Sequence, residues 1–478
     1  MIYRGSFSTR NSIRCFLAII LAAGLPLVGF CAETPGFIYT VAGTGTGGYN
    51  GDSIIATTAQ INLPVGVFVD NVRNIFIADL NNNRIRKVDA GTGIISTVAG
   101  GGGGGDGGLA TAASLSNPQG VFVDVSGTIY IADLGNQRIR KVEATTGFIT
   151  TVAGTGTGGY NGDGITATIA QLNGPCGVFV DSAGNIYIAD SSNQRIRKVD
   201  SITGLISTVA GTGTAGYLLA EDGGLATAAR LNSPTGVFVD SSGKIYIADN
   251  NNQRIRMVNL SGLIATVAGG GVGGDGGMAT SAQLTNPGSV FADDSGIIYI
   301  ATNGSDPRIR KVAAGTGLIS TVAGTGVQGY NGDDILATTA QINGPGGVAV
   351  DTLGNIYISE MTSHRIRKVV AGTISSPTAP DSDKGKIIIH GNVLDVTAGG
   401  RAKIFAKGDA NKTIKLAVYN RAGKRVAEVP PITLDSTGAG FVWFDGKDSS
   451  GKQLLAGIYL VVGPDGQKAQ IVIKRGVK

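Results

Sequence analysis

The groups with the means to do chemistry in this chain are carboxylates, and they recur. One set closes a repeated apolar run: Asp79, Asp133, Asp190 and Asp249, with Thr302 and Glu360 at the two corresponding places that depart. A second set sits in glycine-rich stretches: Asp52, Asp106, Asp163, Asp222, Asp275 and Asp333. Clustered carboxylates suit Ca²⁺ or a cationic partner. An Asp before a turn also accepts backbone N–H groups locally, and repetition favours that role, because a catalytic site needs one such residue, not six. Other chemistry is sparse. The chain has two histidines, and His364 stands in a turn where equivalent positions carry Asn83, Gln137, Gln194 and Gln253, so no triad can be assembled. Cys176 follows Pro175 where other copies have Val65, Gln119 and Thr235, which marks it as a bland position. Strings such as GTGTGG do not open a βαβ unit and imply no nucleotide. No catalytic residue, metal ligand or cofactor is expected.

The elements that carry these groups form one pattern repeated six times. T-V-A-G runs occur at Val41, Val98, Val152, Val209, Val267 and Val322, 54 to 58 residues apart. Each is followed by a glycine-rich stretch with its Asp, an Ala-Thr segment and a proline (Pro64, Pro118, Pro175, Pro234, Pro287, Pro345). Then come runs of the GVFVD, NIYIAD and RIRKV types. Four short β-runs per unit result. In Asn74–Asp79 both faces are apolar, as in a sheet covered on both sides, and four-stranded blades stacked in a ring provide that covering. The first T-V-A-G run, Ile38–Ala42, precedes any other strand, and the last repeat lacks its fourth. The N-terminal strand should therefore close the sixth blade and leave no open edge.

These residues resemble the NHL repeat, whose pattern runs Pro-Gly-Val-Ala-Val-Asp, Gly-Asn-Ile-Tyr-Val-Ala-Asp, Asn-x-Arg-Ile-x-Lys; the third copy reads GPCGVFVDSAGNIYIADSSNQRIRKV. The resemblance spans about residues 37–370 and implies an all-β, six-bladed β-propeller. It says little about activity, since the family includes lyases, sensors and scaffolds. Its amidating lyases use histidines for a catalytic zinc, and this stretch has one.

A meander places both acid sets on one face, with loops of about twenty residues between outermost and innermost strands. Ala56–Ile61 should form one helical turn packed beneath its loop. Tyr49, Tyr160, Tyr217 and Tyr330 recur in four loops, as contacts or as anchors. The pattern departs from itself at Thr302, Asn303 and Glu360, where the turn Ser305-Asp306-Pro307-Arg308 gains a residue. Thr302, Asn303, Glu360, Tyr49, Tyr160 and Tyr330 are the expected ligand-binding residues. The R-I-R-K strings are expected to form a charged outer belt, their long side chains reaching solvent.

Residues 1–32 read as a signal peptide, with Arg4, Arg10 and Arg14 before the apolar run Cys15–Phe30; Phe30 before Cys31 argues against lipidation. Without those arginines the formal charge falls from +5 to +2, too little for nucleic acid, and no later stretch suits a membrane span. After the propeller (37–372) and a linker (373–385), residues 386–478 alternate short strands with turns such as NRAGK and KDSSGK, the pattern of a small antiparallel β-sandwich. LAVYNRAGKRVAEV and FVWFDGKDSSGKQLLAGIYLVV resemble the Ig-like domain of the flagellar hook-capping family, with Trp443 as a core residue. That resemblance implies a module that sorts, anchors to the cell surface or spaces. The reading is an exported protein, secreted, surface-attached or periplasmic. It binds a protein or glycan through its loop face without catalysis. The alternatives are a propeller hydrolase or lyase with a metal in the central channel, and a structural envelope or matrix component.

Overall fold

The computed structural model describes residues 33–371 continuously and, beyond them, the strands between 387 and 474. The expected signal segment 1–32, the linker 373–385 and the side chain of Trp443 lie outside the described residues. The chain divides into two compact units, Met1–Thr373 and Ile374–Lys478. No helix among the described residues is long and apolar enough to cross a membrane.

The first unit is a ring of six antiparallel sheets. Blade one runs outward from Pro64–Val69 through Ile75–Asp79 and Arg84–Val88 to Ile94–Gly100, and the other blades repeat this order. The sixth is closed as expected: Phe37–Ala42 pairs antiparallel with Arg365–Val369, Ile38 opposite Val369 and Thr40 opposite Arg367. A short fifth strand, unforeseen from the sequence, flanks blades one, three and six, where Ile54–Ile55, Ile165–Thr166 and Ile335–Leu336 leave the long loops to pair outside the fourth strand. This pairing shortens the bare outer edge of each of those blades.

Both faces of each second strand are buried because the core lies between blades. Ala78 and Ile85 of blade one pack with Val121 and Ile131 of blade two, and blades six and one meet the same way through Tyr357, Ile366 and Ile77. The expected helical turn is a 3-10 turn, Ala56–Thr58. Ala56, Ala59 and Ile61 lie buried beneath the loop, the Ile61 side chain adding about 1.5–3 kcal/mol of apolar burial.

At the axis the innermost strands approach closely. A Cβ on Gly66 would stand 2.5 Å from the carbonyl oxygen of Gln119, and one on Gly120 equally close to that of Cys176, so glycine is required there. Further along the channel Phe68, Phe122, Phe179, Phe238 and Phe291 form a collar with centroids 4.7–4.8 Å apart. Ala349 takes the sixth place. Neighbouring blades are also stapled at the turn between second and third strands. Asn83, Gln137 and Gln194 accept the backbone N–H of Asn117, Gly174 and Ser233 at 2.5–2.8 Å. His364 Nδ1 accepts that of Leu63 at 3.1 Å across the closure.

In the second unit the described strands form two sheets, Ile387–His390 with Ala402–Lys407 and Ala439–Phe444, and a five-stranded sheet containing the remainder. One pairing is parallel, Val393–Asp395 against Lys468–Lys474, where the sequence pattern led us to expect antiparallel pairing throughout. Pro430 and Pro431 lie in Arg425–Thr433, an edge strand, where a missing ladder donor is tolerated.

Candidate functional site

The second arginine of each RIRKV run organises the loop face. Arg86, Arg197, Arg256 and Arg367 are fully buried, which corrects the expectation of a solvent-exposed basic belt. Each is held between two carboxylates brought together from different loops. Arg86 reaches Asp52 at 2.9 Å and Asp79 at 3.5 Å; Arg197 reaches Asp163 at 2.9 Å and Asp190 at 3.4 Å; Arg367 reaches Asp333 at 2.8 Å and Glu360 at 3.5 Å. Arg140 likewise bridges Asp106 and Asp133.

The inner acids also tie down the incoming loop. Asp79, Asp133, Asp190 and Asp249 accept the backbone N–H of Asn62, Ser116, Asn173 and Asn232 at 2.7–2.8 Å. The structural role expected of them therefore holds, but the backbone donor comes from the long loop seventeen residues upstream and not from the acid's own turn, and Asp190 pairs with Arg197. Burial pushes Asp79 and Asp249 up to about 6, against the pull of these donors and the arginine; it pushes Glu360 to about 7. Among the described residues no three of His, Cys, Asp and Glu stand together as a metal site requires.

The tyrosines roof this arrangement. Tyr49 lies 4.0 Å from the Arg84 guanidinium and 4.9 Å from that of Arg86; Tyr160, Tyr217 and Tyr330 repeat the geometry in blades three, four and six. Tyr49 and Tyr330 donate their hydroxyls to Asp52 and Asp333 at 3.0 Å. They anchor their loops, with one edge at the surface.

Blade five differs. Thr302 is buried, its hydroxyl within reach of the carbonyls of Asp306 (3.0 Å) and Arg308 (3.1 Å). Asn303 is partly exposed and caps Gly304 N–H with its own side chain. Arg310 thus loses its inner carboxylate, keeping Asp275 at 2.5 Å and the Gln283 carbonyl at 3.4 Å. The acid reappears as Asp306 in the enlarged turn, paired with Arg308 at 2.7 Å. The loop into blade five also reaches its aspartate three residues sooner than the loop into blade one, omitting the segment that carries the tyrosine. A polar cavity of about 640 Å³ opens there, lined by Val272, Asp275, Asp306, Arg308, Arg310 and Thr321 among others. Of the expected site residues, Thr302, Asn303, Tyr330 and Glu360 belong to blades five and six, with Thr302 and Glu360 enclosed inside them, whereas Tyr49 and Tyr160 roof intact blades. Asp275 reads from the sequence only as one of the loop acids, and Arg308 and Arg310 only as part of an R-I-R-K string, although the shortened loop is visible by counting from Ala268 to Asp275.

The central channel contains a cavity of about 110 Å³ lined by Val65, Gln119, Cys176, Thr235, the inner glycines and the phenylalanine collar. No carboxylate or imidazole lines it, and Cys176 is the one thiol among these lining residues. Burial pushes the Cys176 thiol up to about 11, which keeps it an unreactive thiol.

The innermost Pro-x-Gly strands and the third strands of blades two to four coincide with a family match: the Teneurin NHL domain family matches residues 101–160, 156–217 and 219–273. The matched repeats are NHL repeats. Among curated proteins, Protein SUPPRESSOR OF QUENCHING 1, chloroplastic, of Arabidopsis thaliana is 30% identical over 239 residues, covering 47% of this chain and 22% of that protein. Teneurin-4 of Mus musculus is 30% identical over 278 residues, covering 51% of this chain and 10% of that protein. The NHL chain thus spans a tenth to about a fifth of the length of these relatives. A crystal structure of a protein of unknown function from Bacteroides thetaiotaomicron superposes with a TM-score of 0.52 at 17% identity, covering 70% of this chain and 75% of that one; this likeness shows the fold alone.

Proposed function

We propose that this NHL propeller is an exported, non-catalytic binding protein that engages a protein or glycan partner with the loop face of blades four to six. The observation that carries this reading is an asymmetry of the face. Where the loops of blades one to three present Thr46, Gly103 and Thr157, those of blades five and six present Val272, 94% exposed, and Val327. The blade-four loop, longer than the others, adds exposed Leu218 and Leu219. Apolar side chains in water on one rigid face mark an interaction surface, and paired arginines nearby supply polar specificity. Export follows from reading residues 1–32 as a signal peptide, and the C-terminal Ig-like unit serves as spacer or surface attachment.

Partners captured by the parent protein should be lost with Val272→Lys combined with Val327→Lys, at unchanged melting temperature. They should be retained with Val125→Lys combined with Ile202→Lys on the opposite face. Capture that survives the first pair and fails with the second would place the binding face elsewhere.

A further inference from the structure

Four blades display what belongs over the paired arginines. In blades one, three, four and six a tyrosine ring lies 3.7–4.0 Å from the first guanidinium and 4.8–5.0 Å from the second, and in blades one and six its hydroxyl donates to the loop aspartate. Blade five keeps the same three groups, Arg308, Arg310 and Asp275, and supplies no ring. All three groups line the 640 Å³ cavity. We propose that this cavity binds a tyrosine side chain presented by a partner protein, its ring on Arg308 and Arg310 and its hydroxyl donating to Asp275.

Three features favour a phenol here. Guanidinium faces attract the electron-rich face of an aromatic ring, and Arg310, buried with one carboxylate where its counterparts hold two, has the greater unmet demand. The cavity falls in the size range of ligand pockets, about 300–1,000 Å³, so it accommodates the ring with its adjoining backbone. The internal tyrosines remain 38–39% exposed in blades one, three and six. The geometry therefore suits a ring carried on a chain that crosses the face, not an enclosed small molecule, and Val272 at the lip offers that chain an apolar contact. Blade two has the same shortened loop, but Arg140 there keeps both Asp106 and Asp133, so the stronger site is in blade five.

The natural partner rests on the loop-face reading; the pocket itself is tested without it. Ligand-observed NMR on the full chain would compare N-acetyl-tyrosinamide, N-acetyl-phenylalaninamide, p-cresol and a glycine-flanked tyrosine pentapeptide. We expect the tyrosine amide to bind roughly fivefold or more tighter than the phenylalanine amide, and the pentapeptide to bind tighter than p-cresol. Inserting Tyr-Asn-Gly between Gly274 and Asp275 rebuilds the sister loop and should abolish binding, while the same insertion between Gly105 and Asp106 should leave it. Should the insertion not fold, Arg308→Met, at a partly exposed arginine, should weaken the tyrosine amide severalfold. No binding of either tyrosine probe, or binding that survives the blade-five changes, overturns the proposal; p-cresol binding as tightly as the pentapeptide overturns the assignment to a partner chain. Loss of the loop-face reading would show separately, as partner capture insensitive to Val272→Lys and Val327→Lys with probe binding intact.

Discussion

Blade three and blade five share the same four principal strands, the same third-strand arginines and the same buried isoleucines, Ile188 and Ile300. They differ in how they neutralise one buried cation. In blade three Arg197 has Asp190 beneath it, Asp163 beside it and Tyr160 above it; both terminal nitrogens are paired and one face is covered within the blade. In blade five Thr302 replaces the acid beneath, the loop carries no ring above, and Asp306 serves Arg308 instead. The formal charge of the cluster is unchanged, since an acid lost from the strand end returns in the turn. What changes is enclosure. A complete cage is a stability device, and the same cage with its roof removed is a site.

The comparison breaks first on the acid. Asp190→Ala leaves the Arg197 guanidinium buried with one carboxylate and orphans the Asn173 N–H, and removing one member of a buried pair costs about 3–5 kcal/mol. Thr302→Ala removes the hydroxyl contacts and one buried methyl, about 1–2 kcal/mol. Urea denaturation of both variants measures the gap, and equal costs would mean that blade five holds its arginine as blade three does.

The roof is the second test. Tyr330→Ala should cost about 1–2 kcal/mol, from the ring over Arg365 and the bond to Asp333, with Tyr330→Phe losing the smaller share that belongs to the hydroxyl. A melting temperature unchanged in both variants would make the tyrosines surface contacts and deprive the blade-five vacancy of its template.

How much of this was legible follows from sequence distance. Six copies of one pattern fixed the number of blades, and the orphan strand Ile38–Ala42 with the missing last strand gave the closure. Ala56–Ile61 read as one turn because its apolar side chains are local. Arg86 did not read as buried, because its outer partner Asp52 lies thirty-four residues upstream and period-two alternation only puts it on one face with Arg84. The phenylalanine collar was equally open to view as one position filled five times, yet its contacts cross blades, and nothing within a repeat says which residues face the axis. Thr302 and Glu360 were singled out for departing from the pattern. Of the two, the Glu360 change keeps the ion pair inside the blade, with a longer side chain and Ser363 donating to it at 2.5 Å, and only the Thr302 change alters what the face exposes.

The smallest effect concerns the seams. His364 holds blade six to the blade-one loop by accepting the Leu63 N–H, whereas the corresponding turn of blade five carries Pro307. Accepting that bond requires Nδ1 unprotonated, and burial with the nearby Arg365 charge lowers the histidine below its ordinary 6.5. The folded protein then binds fewer protons at this site than the unfolded chain, so stability rises with pH across the window between the lowered value and 6.5. It is present in full above about 6.5 and lost as pH falls through that window. Glu360, raised to about 7 by burial, acts oppositely: ionisation is costlier in the folded state, so its contribution improves as pH falls from about 7 towards the ordinary carboxylate range. A pH scan of the parent alone mixes the two. His364→Gln separates them, because Gln accepts the same N–H, as Gln137 and Gln194 do in sister blades, and leaves Glu360 in place. The variant should match the parent at pH 7.5 and be the more stable at pH 5.5 by about 0.5–1 kcal/mol, the worth of one hydrogen bond. Identical stabilities at both pH values would show that the closing seam does not depend on the Leu63 staple.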